Sequence, residues 1–412
     1  MGKKQGEFSH LKNVNDKLLN SFFLKITMQR YFFDVDDIKL SEFASLCSQT
    51  VSLEDYNFSS DIQQRVVIYE GDNVRSLIST PQALDLKTEL HHCIKEGPGV
   101  VVVRQAFQDM KVIDRATEIF QEIIDEEKTS GQNRGDHFAK AGENERIWNA
   151  LQKFCERDTE TFIDYYNNPL LCFVTEAWLG PFFQMTSQVN IVKPGGQAQK
   201  PHRDYHLGFQ ENSLVSEYPI SAQILSQFLT LQESVAHTDM DISSGSTMML
   251  PFSHQYPLGY MAWRDSKFIE YFQKHAVQLD LKKGDAVFFS PALFHAAGTN
   301  SKSSDRIANL LQASSAFGKT MESVDRSKMT KLIYQVLLDR KKYHQISPDE
   351  TKAVWASVID GYAFPTNLDL DSPMEGLVTE DLWTLMERAL TEEWPFDRFN
   401  KCLNDSAIRR IP

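Results

Sequence analysis

The chain has 412 residues, of which 42% are hydrophobic and 24% charged, so it has the composition of a globular protein with a large core. Its formal net charge of −13 and its lack of a dense Lys/Arg patch argue against nucleic acid or an anionic membrane as the main partner. No apolar run approaches the roughly 18 residues that a membrane span requires.

The N-terminal sequence and the cysteines bear on the cellular compartment. The segment MGKKQGEFSH contains no apolar stretch that could serve as a signal peptide. The cysteines form no CxxC pair and have no disulfide-like spacing, which predicts free thiols in a reducing environment. They are Cys47, Cys93, Cys155, Cys172 and Cys402. We therefore expect a cytoplasmic protein.

Helical spacing dominates the first half of the chain. The segment Ala83–Glu96 has this spacing, and the cluster Gly97–Gly99 ends it. Four consecutive valines, Val100–Val103, then predict a buried strand. Two long helices are predicted to follow, over about residues 111–128 and 144–164.

From residue 183 onward, short β-rich runs alternate with turns such as KPGG, DISSG and KKGD. The predicted strands are Gln184–Val192, Gln223–Gln232, Ser246–Leu250, Val277–Leu281, Ala286–Phe289 and Arg306–Ala313. A helix-like segment near Trp263–Lys274 interrupts them, and helical spacing returns after about residue 320. Short strands with little intervening helix favour an antiparallel sandwich or barrel. We expect an N-terminal extension of mixed, helical character (1–95), a β-rich core (96–320) and a C-terminal helical region packed on it (321–412).

His202 and Asp204 are the strongest metal-ligand candidates. They lie two residues apart in VNIVKPGGQAQKPHRDYHLGF, where an apolar run enters a Gly-rich turn. On a strand, residues two apart project from the same face, so an imidazole and a carboxylate could bind one metal. Nitrogen together with hard oxygen suits Fe(II), and a second imidazole would complete a facial triad with open positions for substrate and O2.

His295 supplies the second imidazole in this interpretation, and Arg306 adds a cation. His295 lies in KKGDAVFFSPALFHAAGTN, and Arg306 comes eleven residues later, at the head of an apolar strand. An arginine can pair with a carboxylate through two parallel hydrogen bonds. A 2-oxo acid needs both features, since its keto-acid end chelates iron and its distal carboxylate meets the guanidinium. The structural alternative is a salt bridge from Arg306 to Asp305 or Asp241.

A bare His-x-Asp pair is a weak signal, because this chain contains two of them. The rival pair, His237 and Asp239, lies in the polar, turn-like segment VAHTDMDISSGS. Only the pair His202 and Asp204 is accompanied by a distal histidine and an arginine in strand context. We therefore prefer that pair as the metal site.

Five further residues have both a functional and a structural interpretation. Gln188 and Asn190 share one strand face before the metal motif, so they either donate to the co-substrate or satisfy buried backbone. His206 either faces the substrate or makes a structural hydrogen bond. Arg203 is either a surface charge or a partner for a substrate carboxylate. His254 is expected to hold the loop that contains it.

These segments resemble the phytanoyl-CoA dioxygenase-like branch of the 2-oxoglutarate oxygenases, from about Gly97 to Phe317. The segment PGVVVVRQAF looks like the entry strand of that family. GSTMMLPFSH looks like its Gly…Pro-Gly-Ser-His segment, with Phe252 in place of a glycine. HAAGTN followed by Arg306 looks like the distal motif, and Ala297 stands where the family often has a serine that helps hold the co-substrate.

The resemblance implies an α+β fold with a double-stranded β-helix (jelly-roll, cupin-like) core and flanking helices. It implies Fe(II), 2-oxoglutarate and O2 as cofactors, and oxidation of a small organic molecule with release of succinate and CO2. Related halogenases replace the carboxylate ligand by a small residue, so the presence of Asp204 favours hydroxylation or another oxidation over halogenation. The alternatives are a cupin-like dioxygenase or isomerase that needs no 2-oxo acid, and a catalytically silent β-barrel sensor. The motifs do not specify the substrate, and the C-terminal helices could form a homodimer surface.

Overall fold

A computed structural model describes residues 30–131, 144–373 and 376–412. Its strands form one large sheet and one small sheet, which together enclose a cavity. The strands are β1 (Asp61–Gln63), β2 (Val66–Glu70), β3 (Val100–Arg104), β4 (Asn144–Ile147), β5 (Gln184–Val192), β6 (Thr230–Ala236), β7 (Met248–Met249), β8 (Ala286–Phe289), β9 (His295–Ala296) and β10 (Arg306–Ser314).

The large sheet has eight strands in the order β1-β2-β3-β8-β6-β10-β5-β4. All neighbouring pairs are antiparallel except β2 and β3. The small sheet pairs β7 with β9, and isolated bridges extend it, among them Met249 with Val277 and Met240 with Leu281. Together with the helices described next, this arrangement confirms the α+β class predicted from the sequence.

Helices cover the outer face of the large sheet and form both ends of the described chain. They are α1 (Leu40–Cys47), α2 (Gly71–Leu77), α3 (Ala83–Lys95), α4 (Met110–Thr129), α5 (Ala150–Arg157), α6 (Thr159–Tyr166), α7 (Pro169–Leu179), α8 (Asn212–Val215), α9 (Ile220–Ser226), α10 (Gly259–Ala262), α11 (Ser266–His275), α12 (Arg326–Lys342), α13 (Pro348–Val358), α14 (Leu382–Thr391) and α15 (Phe396–Arg410). Within the described ranges, every helix is too short or too polar to span a bilayer.

The valine run in β3 is buried because both faces of the sheet are covered. Val101 and Val103 pack in the cluster that includes the outer helices. Val100 and Val102 pack in a second cluster between the two sheets. A strand buried on both faces needs a continuous apolar run, and the buried strand predicted from Val100–Val103 is confirmed.

The inner faces of β5, β6 and β10 become polar at one end of the sheet. Gln188 and Asn190 on β5, Gln232 on β6 and Gln312 on β10 all line the cavity. Their chain neighbours, such as Val189, point to the helical side and join its apolar cluster. The two-residue periodicity of the strands thus separates a polar site face from an apolar packing face.

Several predicted element bounds are wrong. Residues 144–164 form β4 and then two helices, because Asp158 caps a new helix by accepting a hydrogen bond from the backbone N–H of Thr161. The first four residues of Gln223–Gln232 are helical and only the last three are in a strand, since α9 extends to Ser226 and β6 begins at Thr230. Ser246–Leu250 contains only the short β7, and Val277–Leu281 contributes only isolated bridges.

Both terminal regions pack on the central part of the chain. In the N-terminal region, β1 and β2 extend the large sheet beyond β3, and Phe43 of α1 contacts the ring of Phe294. In the C-terminal region, α12 packs on α5 and α6, and α13 packs on β5 and α7. All five cysteines are free thiols, as the sequence predicted.

Candidate metal centre

Backbone hydrogen bonds bring the two motif histidines together. The amide N of His202 donates to the carbonyl O of His295 (3.0 Å), and the amide N of His295 donates to the carbonyl O of His202 (3.2 Å). Asp204 is tied to the same loop, because its amide donates to the carbonyl of Pro291 (3.0 Å). The three residues are thus positioned by main-chain pairing between distant segments, and not by a continuous strand through the motif.

The side chains of His202, Asp204 and His295 form a group suited to one metal ion. Each offers a ligand atom, and these atoms all lie within 4.8 Å of one another. The Nδ1 atoms of His202 and His295 are 3.0 and 2.9 Å from the carbonyls of Lys200 and Leu293. These contacts leave both Nε2 atoms facing the Asp204 carboxylate, at 3.5 and 3.4 Å. Metal-binding histidines commonly use the other nitrogen in this way.

The pKa values of Asp204 and His202 are both shifted in the direction that favours binding of a metal cation. Burial would raise the pKa of Asp204, but His202, His295 and a hydrogen bond from Gln232 outweigh it, so the pKa lies below its ordinary value. Burial lowers the pKa of His202 and so favours the neutral imidazole. An ionised carboxylate beside a neutral imidazole is the state that a metal requires of its ligands.

Gln232 is the residue that orients the carboxylate of Asp204. Its Nε2 donates to Oδ2 of Asp204. The opposite amide orientation would place two oxygens against each other, so this one is fixed by chemistry. Sequence reasoning missed Gln232, because it took the residue as the last position of a strand. The alternation of the correctly bounded β6 would have placed it on the site face.

Arg306 lies at the other end of the same cavity and is only 4% exposed. Its Nη1 donates to the carbonyl of Gly245, and its Nη2 donates to Oδ1 of Asn190 (2.8 Å). Its Nε is buried and makes no hydrogen bond within the described part of the chain. Burial, and to a lesser extent Arg146, lowers the pKa of Arg306 to about 10.

The carboxylates suggested as structural partners of Arg306 bind elsewhere. Asp305 accepts from Lys193 at 2.8 Å, and Asp241 accepts from Lys302. No carboxylate of the described residues lies within ion-pair distance of Arg306. A buried guanidinium with only neutral acceptors is energetically costly, which makes it a good site for a ligand carboxylate.

Gln188 and Asn190 both face the cavity, as their shared strand face predicted. Asn190 accepts from Arg306 and so holds the guanidinium in place. Gln188 accepts at Oε1 from Nη1 of Arg146 (2.8 Å), a cavity residue that sequence reasoning did not consider. The chain offered little signal for Arg146, because residues 144–147 were interpreted as helical.

The rival pair His237 and Asp239 does not converge on a site. His237 is buried among aromatic residues, with its ring nitrogens 2.8 Å from Thr117 Oγ1 and 2.9 Å from the hydroxyl of Tyr165. The side chain of Asp239 is exposed and binds Lys282 (3.1 Å). The preference for His202 and Asp204 as the metal site agrees with this geometry. The prediction that no strand lies next to His237 is wrong, because His237 directly follows β6.

Both interpretations of Arg203 are wrong. The side chain is 1% exposed, and its Nη2 donates to the carbonyls of Ser253 (2.7 Å) and Tyr256 (3.0 Å). A Cβ atom at Gly259 would lie 2.0 Å from the guanidinium, so a glycine there makes room for it. Arg203 therefore anchors a loop inside the protein.

His206 and His254 also differ from the expectations in detail. His206 does not share a strand face with Asp204, because residues 205 and 206 adopt positive φ angles of 29° and 55° and turn the chain away. It does not line the cavity. His254 is buried with Nε2 3.0 Å from the carbonyl of Lys95, which agrees with its expected role in holding its loop.

Phe252 stands where the motif of the resembled family has a glycine, and the backbone conformation at this position explains why a glycine is usual there. Its φ of 68° lies in the left-handed region that glycine adopts most easily. Its side chain is buried, so packing compensates for this conformation. Ala297 lines the cavity, as its alignment with the distal motif suggested.

Part of the chain is similar to a yeast protein. The chain is 33% identical over 90 residues to the uncharacterized protein YJR154W of Saccharomyces cerevisiae, and the match spans 22% of this chain and about a quarter (24%) of that protein.

Solved structures with a similar arrangement include two proteins of nogalamycin biosynthesis and one from a Streptomyces species. The non-heme alpha ketoglutarate dependent carbocyclase SnoK is 18% identical, with a TM-score of 0.44 over 60% of this chain and 92% of that one. The epimerase SnoN is 17% identical, with a TM-score of 0.39 over 57% and 82%. AviO1 from Streptomyces viridochromogenes Tue57 is 16% identical, with a TM-score of 0.39 over 54% and 92%.

The family model of phytanoyl-CoA dioxygenase (PhyH) matches residues 96–308, which is more than half of the chain. The match includes His202, Asp204, His295 and Arg306. The chain belongs to the phytanoyl-CoA dioxygenase family.

Proposed function

We propose that the protein is an Fe(II)- and 2-oxoglutarate-dependent oxygenase that hydroxylates a small organic molecule. One observation carries this proposal: a buried arginine with neutral protein partners shares a cavity with a His-Asp-His group. A metal enzyme without a 2-oxo acid would have no use for Arg306 at that position.

In this proposal His202, Asp204 and His295 would hold the iron. Bound iron, 2-oxoglutarate and O2 would supply the oxidising chemistry, with succinate and CO2 as the products of the co-substrate. Gln232 donates a hydrogen bond to the carboxylate of Asp204, which favours the ionised form that would bind the metal.

Arg306 would bind the distal carboxylate of 2-oxoglutarate. This contact would hold the co-substrate in the position from which its keto-acid end reaches the metal ligands. Asn190 and the carbonyl of Gly245 hold the guanidinium from one side. The carboxylate would bring the charge that the buried cation lacks, and the planar guanidinium can meet it with two hydrogen bonds.

The remaining expectations stand as proposals beside this one. Residues 96–320 would form the oxygenase core, with 1–95 and 321–412 packed on it. We propose hydroxylation and not halogenation because Asp204 would occupy the coordination position that a halide takes in the related halogenases. A cytoplasmic location and a homodimer stay predictions.

The proposal is tested by following 2-oxoglutarate consumption in the iron-loaded protein. We expect slow succinate formation that requires both Fe(II) and O2, even before the primary substrate is identified. Matched samples that lack iron, or that are kept anaerobic, serve as controls. Full iron loading without any consumption of 2-oxoglutarate and without its binding would reject the proposal.

A further inference from the structure

Thr247 lines the same cavity as Arg306, on the segment that leads into β7. From its position we infer that Thr247 is a second binding residue for the distal carboxylate of 2-oxoglutarate, to which its hydroxyl donates a hydrogen bond. The inference rests on the proposed function, because it adds a residue to the co-substrate site assigned there.

The hydroxyl of Thr247 has its proton available for a ligand. Other threonine hydroxyls of this chain donate to a backbone carbonyl, as Thr117 does to Ile113 (2.7 Å) and Thr330 does to Arg326 (2.6 Å). Thr247 makes no hydrogen bond within the described residues, although it is half-buried and faces the cavity. A hydroxyl in that position needs a ligand or a water molecule as its partner.

A direct contact of the main chain holds the segment of Thr247 against Arg306. The carbonyl of Gly245 accepts a hydrogen bond from Nη1 of Arg306, and Thr247 follows two residues later. Two residues of chain span at most about 7 Å, so the two side chains lie close together on the cavity wall. The carbonyl of Ser246 accepts from Nε2 of Gln278 (2.7 Å), which fixes the backbone directly before Thr247.

On the neighbouring strand, Ala297 occupies the position opposite Thr247. Strands β7 and β9 are antiparallel, with Met248 opposite Ala296. The next pair in this register is Thr247 and Ala297, and both residues line the cavity, as expected for opposed residues on one face. Ala297 carries no hydrogen-bonding side chain, so the hydroxyl of this pair belongs to Thr247.

The distal carboxylate has room for more donors than Arg306 alone would give it. A carboxylate offers about four acceptor positions, and a guanidinium that meets it side by side fills only two of them. Acceptors that stay unpaired in a buried cavity lower the affinity of the ligand. Thr247 presents a neutral donor from an adjoining segment, so it can fill a third position without competing with the guanidinium.

The test is anaerobic calorimetry of 2-oxoglutarate binding to the Fe(II)-loaded protein, with iron content measured alongside. Thr247→Val keeps the shape of the side chain and should weaken binding by at least about tenfold, because a hydrogen bond to a charged group is lost. Thr247→Ser keeps the hydroxyl and should bind nearly as tightly as the wild type. Adding Ala297→Ser to Thr247→Val should recover most of the affinity, since it returns a hydroxyl to the same face of the strand pair.

Two controls complete the design. Thr88→Val makes the same change on the exposed face of α3 and should leave binding unchanged. 2-Oxobutyrate has the keto-acid end but no distal carboxylate, so its binding should be the same in the wild type and in Thr247→Val. The inference is overturned if Thr247→Val binds 2-oxoglutarate like the wild type, if Thr247→Ser is weakened as strongly, if the double variant recovers nothing, or if 2-oxobutyrate shows the same loss. Failure of the wild type to bind 2-oxoglutarate at all would instead count against the proposed function.

Discussion

His202 and His295 hold each other in place through two reciprocal backbone hydrogen bonds, of 3.0 and 3.2 Å, although 93 positions separate them in the chain. This pairing sets the distance between their imidazoles before a metal is bound. The Nδ1 contacts to Lys200 and Leu293 then fix the ring orientations. Because main chain and not side-chain packing positions the ligands, the site should tolerate removal of a single ligand without loss of the fold.

Replacement of Asp204 by Ala is expected to abolish turnover and lower iron affinity. The loss should exceed the roughly 10–100-fold typical of residues that only orient a metal ligand. Far-UV circular dichroism should stay native, and iron content is measured after anaerobic loading. Asp239→Ala is the matched control, since Asp239 binds Lys282 at the surface. A fully active Asp204 variant, or an inactive Asp239 variant, would disprove the assignment.

Gln232→Leu is expected to weaken iron binding by about 10–100-fold, because the carboxylate of Asp204 loses the group that orients it. Iron titration measures the effect. Gln312→Leu removes an amide from the opposing register position and should leave the iron affinity unchanged. Equal effects of the two substitutions would mean that general cavity polarity, and not the bond to Asp204, controls metal affinity.

The free energy of unfolding is expected to fall as pH rises, because Glu233 is buried in its protonated form. It is fully buried behind the sheet, and burial raises its pKa from 4.5 to about 8. Its Oε1 lies 2.6 Å from Thr175 Oγ1, whose single proton can go to the carbonyl of Leu171 at 2.8 Å. A neutral Glu233 can then donate to Thr175.

Folding therefore favours the protonated form of Glu233. The contribution of Glu233 to the free energy of unfolding is fully present below about pH 4.5. It is lost as pH rises through about 8, and the loss is on the order of a few kcal/mol. Glu233→Gln should flatten the pH dependence of the free energy of unfolding and raise stability at pH 8. The same pH slope in wild type and variant, measured by urea denaturation, would refute the prediction.

Deletion of residues 318–412 is expected to cause aggregation. Ile333, Tyr334 and Leu337 of α12 are fully buried in the main core cluster, so their removal exposes a contiguous apolar surface. Size-exclusion chromatography measures the outcome. A monodisperse, active truncated protein would show instead that the C-terminal helices form an independent unit.

The candidate site residues could be predicted because their chemistry is explicit in the sequence. A His-x-Asp pair, a distal histidine and an arginine predicted the group that the structure brings together, and the family match confirms the resemblance. The local reasoning was less accurate. The spacing of His202 and Asp204 predicted a strand through both residues, whereas the chain forms a bridge at His202 and a loop at Asp204.

The remaining errors arise where tertiary contacts override local patterns. Arg203 is buried because three loop carbonyls surround its guanidinium, which no local pattern records. The helical spacing of residues 144–164 begins with a strand because Asn144–Ile147 pairs with β5. Gln232 was missed because the bounds of β6 were predicted wrongly, and Arg146 was missed because β4 was predicted to be helical.

The most direct test of the account is an anaerobic titration of the Fe(II) protein with 2-oxoglutarate, followed by visible absorption. We expect a weak, saturable charge-transfer band in the wild type. Arg306→Ala should require at least roughly a hundredfold more 2-oxoglutarate, because breaking a buried charge pair costs on the order of 3–5 kcal/mol. Arg306→Lys should recover only part of the affinity, since it lacks the two-pronged geometry. Equal affinity in all three proteins at normal iron loading would contradict the account and remove 2-oxoglutarate from it.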